Sequence, residues 1–561
     1  MTRSYDCTTA ARSASEGSAT GNAHSRGTET AARPWSRPCR RAGSLSAGVL
    51  FVFFQFVASG HPAAQAADGP FDVQTSQHVA PDAAPAPIAR SQESGRPAVA
   101  GFGEVGRPAP NSETALLRGT VRAEGSPLAG VLVSDGFRVA RTDAQGCYEL
   151  PPSANRGRFV FVSTPAGYWT DKFYLRTEQA TAAGRADFTL RRVEQPDRFD
   201  FVFIADVHLE NKKIGVTKFQ ASLREINQLQ PRPVFLWSQG DISLQGHAGS
   251  DYAEALKLVD MPVRNGPGNH EMMLAKENPR EDFEQLFGPT YYSFDWGAIH
   301  CIVLDGNKPI SGVKDYKGVH GAVEGSELAW LRADLAAQPS GKPIVVGIHI
   351  PIVTTYPQRR RENPPDAPYW EVTNRDVLTD LFAAHQVRLV LQGHMHENER
   401  IMVKGVEYVE SISMSGCWWQ SGSGLERGVD GSPRGYRIVS VDGTKVTHRY
   451  QSSCESRVDR QGEFYGLDEP VARGAAVPLV FNCYDAPHGA TAEARLDDGA
   501  WQPMPALAAM NNKIGLAMTH HFRLLADATA LAPGRHTITA RVRWPGGETI
   551  EEQTAFTLAG E

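Results

Sequence analysis

The chain has 561 residues, of which 41% are hydrophobic and 21% are charged, and its formal net charge is −6. This length exceeds that of one compact domain and predicts about three or four domains. The slightly acidic balance gives no polybasic signature of the kind that indicates nucleic-acid binding, so no nucleic-acid partner is expected.

The first 66 residues have the pattern of a signal peptide. Arginines at positions 33, 37, 40 and 41 precede an apolar run at 47–58, and residues 63–66 have the A-x-A-like form of a cleavage site. This apolar run is too short to cross a membrane but suits the hydrophobic region of a signal. The chain is therefore predicted to be exported to the periplasm or outside the cell, with no integral membrane span. An uncleaved anchor is the alternative.

The next two regions differ in composition. Residues 67–113 are rich in Ala, Pro, Gly and Ser without apolar periodicity, which indicates a flexible linker. Residues 114–195 contain short strand-like runs separated by turn signals and predict a small all-β sandwich. Their order, G-x-V, P-L-x-G-V-x-V-S-D-G, T-D-x-x-G-x-Y, resembles the transthyretin-like, carboxypeptidase-regulatory-like domains of secreted proteins. The resemblance implies an adhesive or spacer module, and a purely structural cap is the alternative.

Residues 196–430 alternate between strand and helix patterns. Near-continuous apolar runs, such as 199–205 and 387–391, are separated by amphipathic stretches, such as 218–229 and 374–385. Strands that are apolar on both faces indicate a sheet covered on both sides by other elements. We therefore predict an α/β core domain over residues 196–430.

The helical patterns end after residue 430. Two strand-like runs, 436–441 and 446–450, flank the turn Asp442-Gly443 and predict a hairpin. Further strand-like runs follow, so residues 431–561 are predicted to form a C-terminal β-sandwich of immunoglobulin-like type. The seven cysteines include no CxxC pair, which argues against a thiolate metal site and against a disulfide framework.

Polar motifs follow five of the predicted core strands. In chain order they are Asp206-Val207-His208, Gly240-Asp241, Gly268-Asn269-His270-Glu271, Gly347-Ile348-His349 and Gly393-His394-Met395-His396. Ligands gather at the carboxyl ends of strands in α/β sheets, so these motifs are expected to converge on one edge. Carboxylate, imidazole and amide groups are ligands of divalent first-row metals. Two histidines separated by one residue point in divergent directions at a strand end, so they can hold two neighbouring metals.

A pair of metals suits the hydrolysis of phosphoesters. Two ions about 3.5–4 Å apart neutralise the phosphoryl oxygens and lower the pKa of a bridging water towards about 7. A carboxylate between the ions is needed as a bridging ligand, and Asp241 is the candidate for that role.

The ordered series D-x-H, GD, GNHE, H and G-H-x-H resembles the calcineurin-like metallophosphoesterase superfamily over roughly residues 196–430. The resemblance implies a multidomain protein whose α/β core is a two-sheet αββα sandwich, flanked by two all-β sandwich domains. It also implies the hydrolysis of phosphate mono- or diesters by a hydroxide that bridges two metal ions. These ions would be divalent or trivalent transition metals, with Fe, Zn, Mn and Co all compatible with the ligands.

The resemblance also assigns roles to individual residues. It implies one metal held by Asp206, His208, Asp241 and His396, and a second held by Asp241, Asn269, His349 and His394. His270 would stabilise the transition state or protonate the leaving oxygen, and Asp241 would contribute to catalysis as the bridge. Glu271 would orient His270 from the second layer of residues around the metals.

Three further residues are candidates for contact with a phosphoester substrate. Arg359 and Arg360 follow His349 in a basic run that would meet an anion, and the alternative is a solvated loop. Trp418 would stack on a sugar or a base, and the alternative is packing between domains. The sequence leaves the oligomeric state open.

A rival function of a different class is a secreted protein that binds a polymer or carbohydrate and carries a vestigial core. A core without a catalytic role has no need of the complete ligand set, so the sequence favours the enzyme.

Overall fold

The computed structural model describes residues 116–209, 215–242, 248–310, 312–313, 318–360, 369–414, 427–453, 459–511 and 514–560. The predicted signal peptide, the predicted linker and Trp418 lie outside these residues. The described residues form an N-terminal sheet pair (116–193), a core (198–453) and a C-terminal sheet pair (459–560). None of the described helices is long and apolar enough to cross a membrane.

The N-terminal sheet pair consists of short strands and one helix. The strand Leu117–Ala123 alternates buried and exposed residues, so one of its faces packs inwards. The first sheet contains Ser126–Pro127, Leu117–Ala123, Cys147–Leu150, Phe188–Arg192 and Tyr168–Trp169, and the second contains Val139–Arg141, Leu132–Ser134, Phe159–Val162 and Tyr174–Arg176.

The helix Thr177–Ala183 departs from the all-β pattern predicted for this part. Its sequence is rich in Ala, Glu and Gln, which favour helices, and it stops at Gly184, whose φ of 68° lies in the left-handed region.

The core contains two sheets. The first consists of Val263–Gly266, Leu236–Gln239, Arg198–Ile204, Gly435–Asp442 and Lys445–Ser452, and the second of Tyr292–Trp296, Ile299–Val303, Ile344–Gly347, Val387–Gln392, Val406–Glu410 and Glu399–Val403. Phe201 and Phe203 share an apolar cluster with the second sheet, whereas Val202 and Ile204 pack with Phe219 on a helix. The strand Arg198–Ile204 is therefore buried on both faces over most of its length, as its near-continuous apolar run predicted.

Helices and short elements connect these strands. The core helices are Gly215–Ile226, Ala248–Leu256, Glu281–Phe287, Gly325–Ala336, Tyr356–Arg359 and Arg375–Ala384, with a 3₁₀ turn at Asn269–Glu271 and a two-stranded ribbon of Asn307–Pro309 and Val319–Gly321.

The hairpin of Gly435–Asp442 and Lys445–Ser452 belongs to the core, although the sequence assigned residues from 431 onwards to the C-terminal sandwich. The first of these strands pairs antiparallel with Arg198–Ile204, so that Val202 lies opposite Ile438. A strand buried on both faces needs a hydrogen-bonding neighbour along each edge, and the hairpin supplies one. We therefore correct the predicted boundary at 431 and begin the C-terminal sheet pair after Ser453.

The C-terminal sheet pair encloses its own apolar core, which includes Phe481, Phe522, Ile538 and Phe556. Its first sheet contains Gly462–Tyr465, Val477–Cys483, His521–Ala526 and Ala506–Leu507, and its second contains Gln502–Met504, Thr491–Leu496, Gly534–Arg543 and Thr549–Leu558. A separate short ribbon of Met510–Asn511 and Leu516–Ala517 extends towards the core, where Leu516 forms a β-bridge with Arg360.

A buried charge cluster lies where the N-terminal sheet pair meets the core. His300 Nδ1 lies 2.7 Å from Asp295 Oδ1, and its Nε2 lies 2.7 Å from Asp334 Oδ2. Ser293 Oγ is 2.8 Å from Asp334 Oδ1 and 2.9 Å from Ser163 Oγ in the N-terminal sheet pair. Burial lowers the pKa of His300, but the two carboxylates outweigh burial and raise it from 6.5 to about 9. His300 is therefore an imidazolium ion at neutral pH.

The free energy of unfolding is expected to fall as the pH rises from 6.5 to 9 because of His300. Below pH 6.5 the imidazole is protonated in both folded and unfolded chains, and its stabilisation is complete; it is lost as the pH rises through the folded pKa of about 9. The loss amounts to about 3 kcal/mol. Urea unfolding across this pH range measures it. Asp334→Asn removes one carboxylate and is expected to flatten the pH slope, whereas equal slopes in both proteins would assign the effect to other groups.

Candidate metal centre

Five core strands end at the edge where the predicted motifs begin. Asp206, Asp241 and Asn269 follow Arg198–Ile204, Leu236–Gln239 and Val263–Gly266 in the first sheet, and His349 and His394 follow Ile344–Gly347 and Val387–Gln392 in the second. Neighbouring strands among these five are parallel within each sheet, so their carboxyl ends meet. The candidate residues therefore lie together across the edges of both core sheets.

One group of potential metal ligands consists of Asp206, His208, Asp241 and His396. Each offers a ligand atom, and these atoms all lie within 4.8 Å of one another. His396 Nε2 is 3.1 Å from Asp206 Oδ1, and His208 Nε2 is 3.6 Å from Asp241 Oδ2. All four residues are at most 3% exposed. This group is therefore shielded from solvent.

A second group consists of Asp241, His349 and His394, so Asp241 belongs to both. His349 Nε2 lies 3.1 Å from Asp241 Oδ2 and 3.1 Å from Asn269 Oδ1. His394, Asn269 and His270 are only partly buried. The centre is therefore more open on the side of the second group than on the side of the first.

Main-chain carbonyls orient two of these imidazoles. His349 Nδ1 lies 3.1 Å from the carbonyl oxygen of Gln239, and His394 Nε2 lies 2.8 Å from that of Tyr369. A carbonyl can only accept a hydrogen bond, so the nitrogen facing it carries the proton of a neutral ring. The opposite nitrogen, Nε2 in His349 and Nδ1 in His394, then has a lone pair for a metal. Sequence reasoning missed Gln239 and Tyr369, because any residue type supplies a carbonyl.

The donor set fits transition-metal ions. The Nε2 atoms of His208 and His396 face each other at 3.0 Å, and a shared cation satisfies the lone pairs of two such nitrogens together. Burial raises the pKa of Asp206 and Asp241, but nearby imidazoles outweigh it and lower both, so each carboxylate is ionised. Burial is the main cause that lowers the pKa of His394 to about 4, which keeps that imidazole neutral and able to bind a metal.

The backbone at the centre is strained. Among the described non-glycine residues with positive φ are five of the candidates: Asp206, His208, Asp241, His394 and His396, with φ between 45° and 83°. Left-handed conformations of such residues cost about 1–3 kcal/mol each and cluster at functional sites. Gly268 allows Asp241 to approach its backbone closely, since a Cβ there would lie 2.3 Å from Asp241 Oδ1.

His270 and Glu271 both border Asp241. The His270 amide donates to Asp241 Oδ1 at 3.0 Å, and the side-chain Nε2 lies 3.9 Å from Asp241 Oδ2. Glu271 Oε2 accepts hydrogen bonds from the amides of Asp241 at 2.8 Å and Gly268 at 2.7 Å. These bonds hold the two loops together, and the orientation of His270 by Glu271 stays a prediction. Burial, with a contribution from Asp241, raises the pKa of Glu271 to about 7.

The two arginines predicted to contact substrate, Arg359 and Arg360, both contact other residues of the protein. Arg359 is paired with Glu397 and Glu399, and its Nη1 donates to the carbonyl of Ala517 at 2.7 Å. A guanidinium this deeply buried requires such partners, so its charge is directed to the protein. The guanidinium of Arg360 lies 5.1 Å from the centre of a Trp370 ring. Trp418 lies outside the described residues.

Three protein-family models match consecutive parts of the chain. They are the N terminal of calcineurin-like phosphoesterase at residues 115–193, calcineurin-like phosphoesterase at 199–398, and the C terminal of calcineurin-like phosphoesterase at 407–541. The central match contains every candidate ligand from Asp206 to His396. The chain belongs to the calcineurin-like metallophosphoesterases. As a member of this superfamily it is a metal-dependent phosphoric ester hydrolase.

This calcineurin-like phosphoesterase is similar to proteins that are named as phosphatases and phosphodiesterases. It is 27% identical over 278 residues to serine/threonine-protein phosphatase CPPED1 of Danio rerio, spanning 47% of this chain and 80% of that protein. It is 24% identical over 301 residues to a probable cyclic nucleotide phosphodiesterase of Rhodococcus erythropolis, with 50% and 91% covered. It is 27% identical over 216 residues to a probable glycerophosphodiester phosphodiesterase of Arcobacter nitrofigilis, with 35% and 71% covered. These names include a phosphatase and two phosphodiesterases and do not select one ester type.

Proposed function

We propose that this calcineurin-like phosphoesterase hydrolyses phosphate monoesters or diesters with two metal ions bound at the edge of the core sheets. The shared position of Asp241 carries the proposal. Its Oδ2 lies 3.6 Å from His208 Nε2 in one ligand group and 3.1 Å from His349 Nε2 in the other. A carboxylate in this position suits the ligand that two neighbouring ions have in common.

The two ligand groups divide the residues between the ions. The first ion would be held by Asp206, His208, Asp241 and His396, and the second by Asp241, Asn269, His349 and His394. Fe, Zn, Mn and Co all match these carboxylate, imidazole and amide donors. When bound, the two ions supply positive charge for the phosphoryl oxygens and lower the pKa of water to about 7.

Glu271 and His270 lie beside the shared carboxylate of Asp241 and have separate roles. Glu271 fixes the amides of Asp241 and Gly268, which keeps the shared carboxylate in place. His270 lies beside that carboxylate on the more open side, with its side chain 21% exposed. A histidine there can donate a proton to the leaving oxygen or stabilise negative charge on the phosphoryl group. The substrate would approach from this side, past Asn269, His270 and His394.

The location and the architecture complete the proposal. The signal-peptide pattern of residues 1–66 supports export to the periplasm or the cell exterior. The two core sheets and the adjacent helices support an αββα sandwich, with β-sandwich domains on either side. The N-terminal sheet pair would be a transthyretin-like spacer.

Hydrolysis of p-nitrophenyl phosphate and bis-p-nitrophenyl phosphate tests the function. The protein is assayed with Mn²⁺, Zn²⁺ or Fe²⁺, after chelation, and after the metal has been restored. We expect turnover that chelation abolishes and metal recovers, and the ratio of the two rates separates phosphatase from phosphodiesterase. Folded protein without turnover on either ester with any of the metals would instead support the binding protein with a vestigial core.

A further inference from the structure

The segment 393–398, between strands Val387–Gln392 and Glu399–Val403, carries two of the proposed ligands without belonging to a helix or a strand. His394 and His396 have left-handed backbones, with φ of 83° and 58°. Such conformations persist only where the surrounding structure holds them, at a cost of about 1–3 kcal/mol each. Contacts to the rest of the protein must therefore fix this segment.

Three backbone amides of this segment donate hydrogen bonds to side-chain carboxylates rather than to a neighbouring strand. The His394 amide donates to Asp206 Oδ2 at 3.0 Å, and the Met395 amide donates to Glu410 Oε1 at 3.2 Å. The Asn398 amide donates to Asp430 Oδ2 at 2.8 Å. Asp430 is in turn held from outside the core, because its Oδ2 lies 3.0 Å from Nε2 of His520 in the C-terminal sheet pair.

An apolar contact from the same sheet pair reaches the residue between the two histidines. Met395 is 3% exposed and belongs to a cluster with Ile514 and Leu516, completed by Tyr356 and Val429. Leu516 lies on the short ribbon that extends from the C-terminal sheet pair and is 0% exposed. The ribbon thus packs against Met395, the residue between the two candidate ligands His394 and His396.

Glu397 and Glu399, the next two alternate residues after Met395, are linked to the C-terminal sheet pair by polar contacts. Glu397 binds Arg359, whose Nη1 also donates to the Ala517 carbonyl at 2.7 Å. Glu399 Oε1 lies 2.9 Å from Nε2 of His488. Met395, Glu397 and Glu399 are therefore each linked to the C-terminal sheet pair, whereas His394 and His396, which flank Met395, belong to the two ligand groups.

We propose that the C-terminal sheet pair supports the metal centre. Leu516 acts as a positioning residue that holds the His394–His396 segment in its metal-binding conformation. The proposal rests on the proposed metal assignment. Without this support, the segment would relax from its strained backbone, and metal affinity would fall even though every ligand is present. Loss of a partner bonded directly to a metal ligand typically weakens metal affinity by about 10- to 100-fold, and we expect the lower end of this range for Leu516, which acts through Met395.

Leu516→Ala tests the proposal in the full chain. Leu524→Ala is the matched control, because Leu524 is also buried but lies in the apolar core of the C-terminal sheet pair, away from the segment. The readouts are the dissociation constant for Zn²⁺, measured by competition with a chromogenic chelator, and hydrogen exchange of peptides covering 393–399 in the metal-free protein. Thermal unfolding of the metal-free proteins shows whether the two alanine variants lose a similar amount of stability.

Leu516→Ala is expected to weaken Zn²⁺ binding about 10-fold or more and to speed exchange in 393–399, whereas Leu524→Ala should change neither by a comparable amount. Leu516→Met should restore most of the affinity, because it refills the cluster. Equal affinity losses in both alanine variants, or unchanged exchange at 393–399 in Leu516→Ala, would overturn the positioning role. Failure of the unaltered chain to bind Zn²⁺ would count against the metal centre itself, and the exchange result would still decide whether Leu516 holds the segment.

Discussion

Asp241→Asn is expected to abolish turnover while leaving the metal-free protein folded. The substitution keeps the size of the side chain but removes the charge that both ligand groups share. Asp241 Oδ2 lies within 3.6 Å of His208 Nε2 and His349 Nε2, so its loss weakens both ion sites at once. We expect bound metal to fall below two ions per chain. We also expect kcat to fall at least about 1000-fold, equivalent to about 4 kcal/mol of transition-state stabilisation.

Metal analysis of the purified variant and steady-state kinetics at saturating metal measure this result. Asp334→Asn provides the control, because Asp334 is equally buried but binds His300, away from the centre. It should retain its metal and most of its turnover. An Asp241→Asn protein with two metals and normal kcat would show that Asp241 is not the shared ligand.

His270→Ala is expected to keep its metal ions and lose about 10²- to 10⁴-fold in kcat. His270 lies outside both ligand groups, although its Nε2 is 3.9 Å from Asp241 Oδ2. Its position on the more open side suits a role towards the substrate. Metal content should therefore stay close to that of the unaltered chain, and the loss should appear mainly in kcat.

The choice of leaving group separates the two roles of His270. If it protonates the leaving oxygen, the loss should be larger for an alkyl phosphate, whose alkoxide needs a proton, than for p-nitrophenyl phosphate. His270→Gln retains hydrogen bonding and should recover activity only where charge stabilisation dominates. Loss of metal from His270→Ala would contradict its placement outside the ligand groups.

The convergence of the motifs could be predicted from the sequence, because four of the five follow buried strands and the fifth follows the partly buried strand Val263–Gly266. Strands of this type are nearly continuous in apolar residues, so polar residues such as Asp206 and Asp241 stand out where each strand ends. The strand ends of two different sheets then lie together as a consequence of the fold. The roles of these residues as ligands remain predictions that the variants test.

Long-range partners could not be predicted in the same way. The hairpin at 435–452 has a clear local signal, but nothing in its sequence identifies Arg198–Ile204 as the edge with which it pairs. The charge of Arg359 suggested an anionic substrate, whereas its carboxylate partners follow in the chain after a further helix and strand. The left-handed backbone of His394 likewise depends on contacts that no local pattern contains.

Activity measured as a function of bound metal tests the central claim most directly. The protein is stripped with a chelator, dialysed, and titrated with Mn²⁺ or Zn²⁺, while bound metal per chain and phosphoester hydrolysis are recorded at each point. Activity is predicted to stay low through the first equivalent and to rise until the chain holds two ions, because Asp241 connects two ligand groups. Full activity at one ion per chain, or hydrolysis that persists in the stripped protein, would contradict the two-metal account.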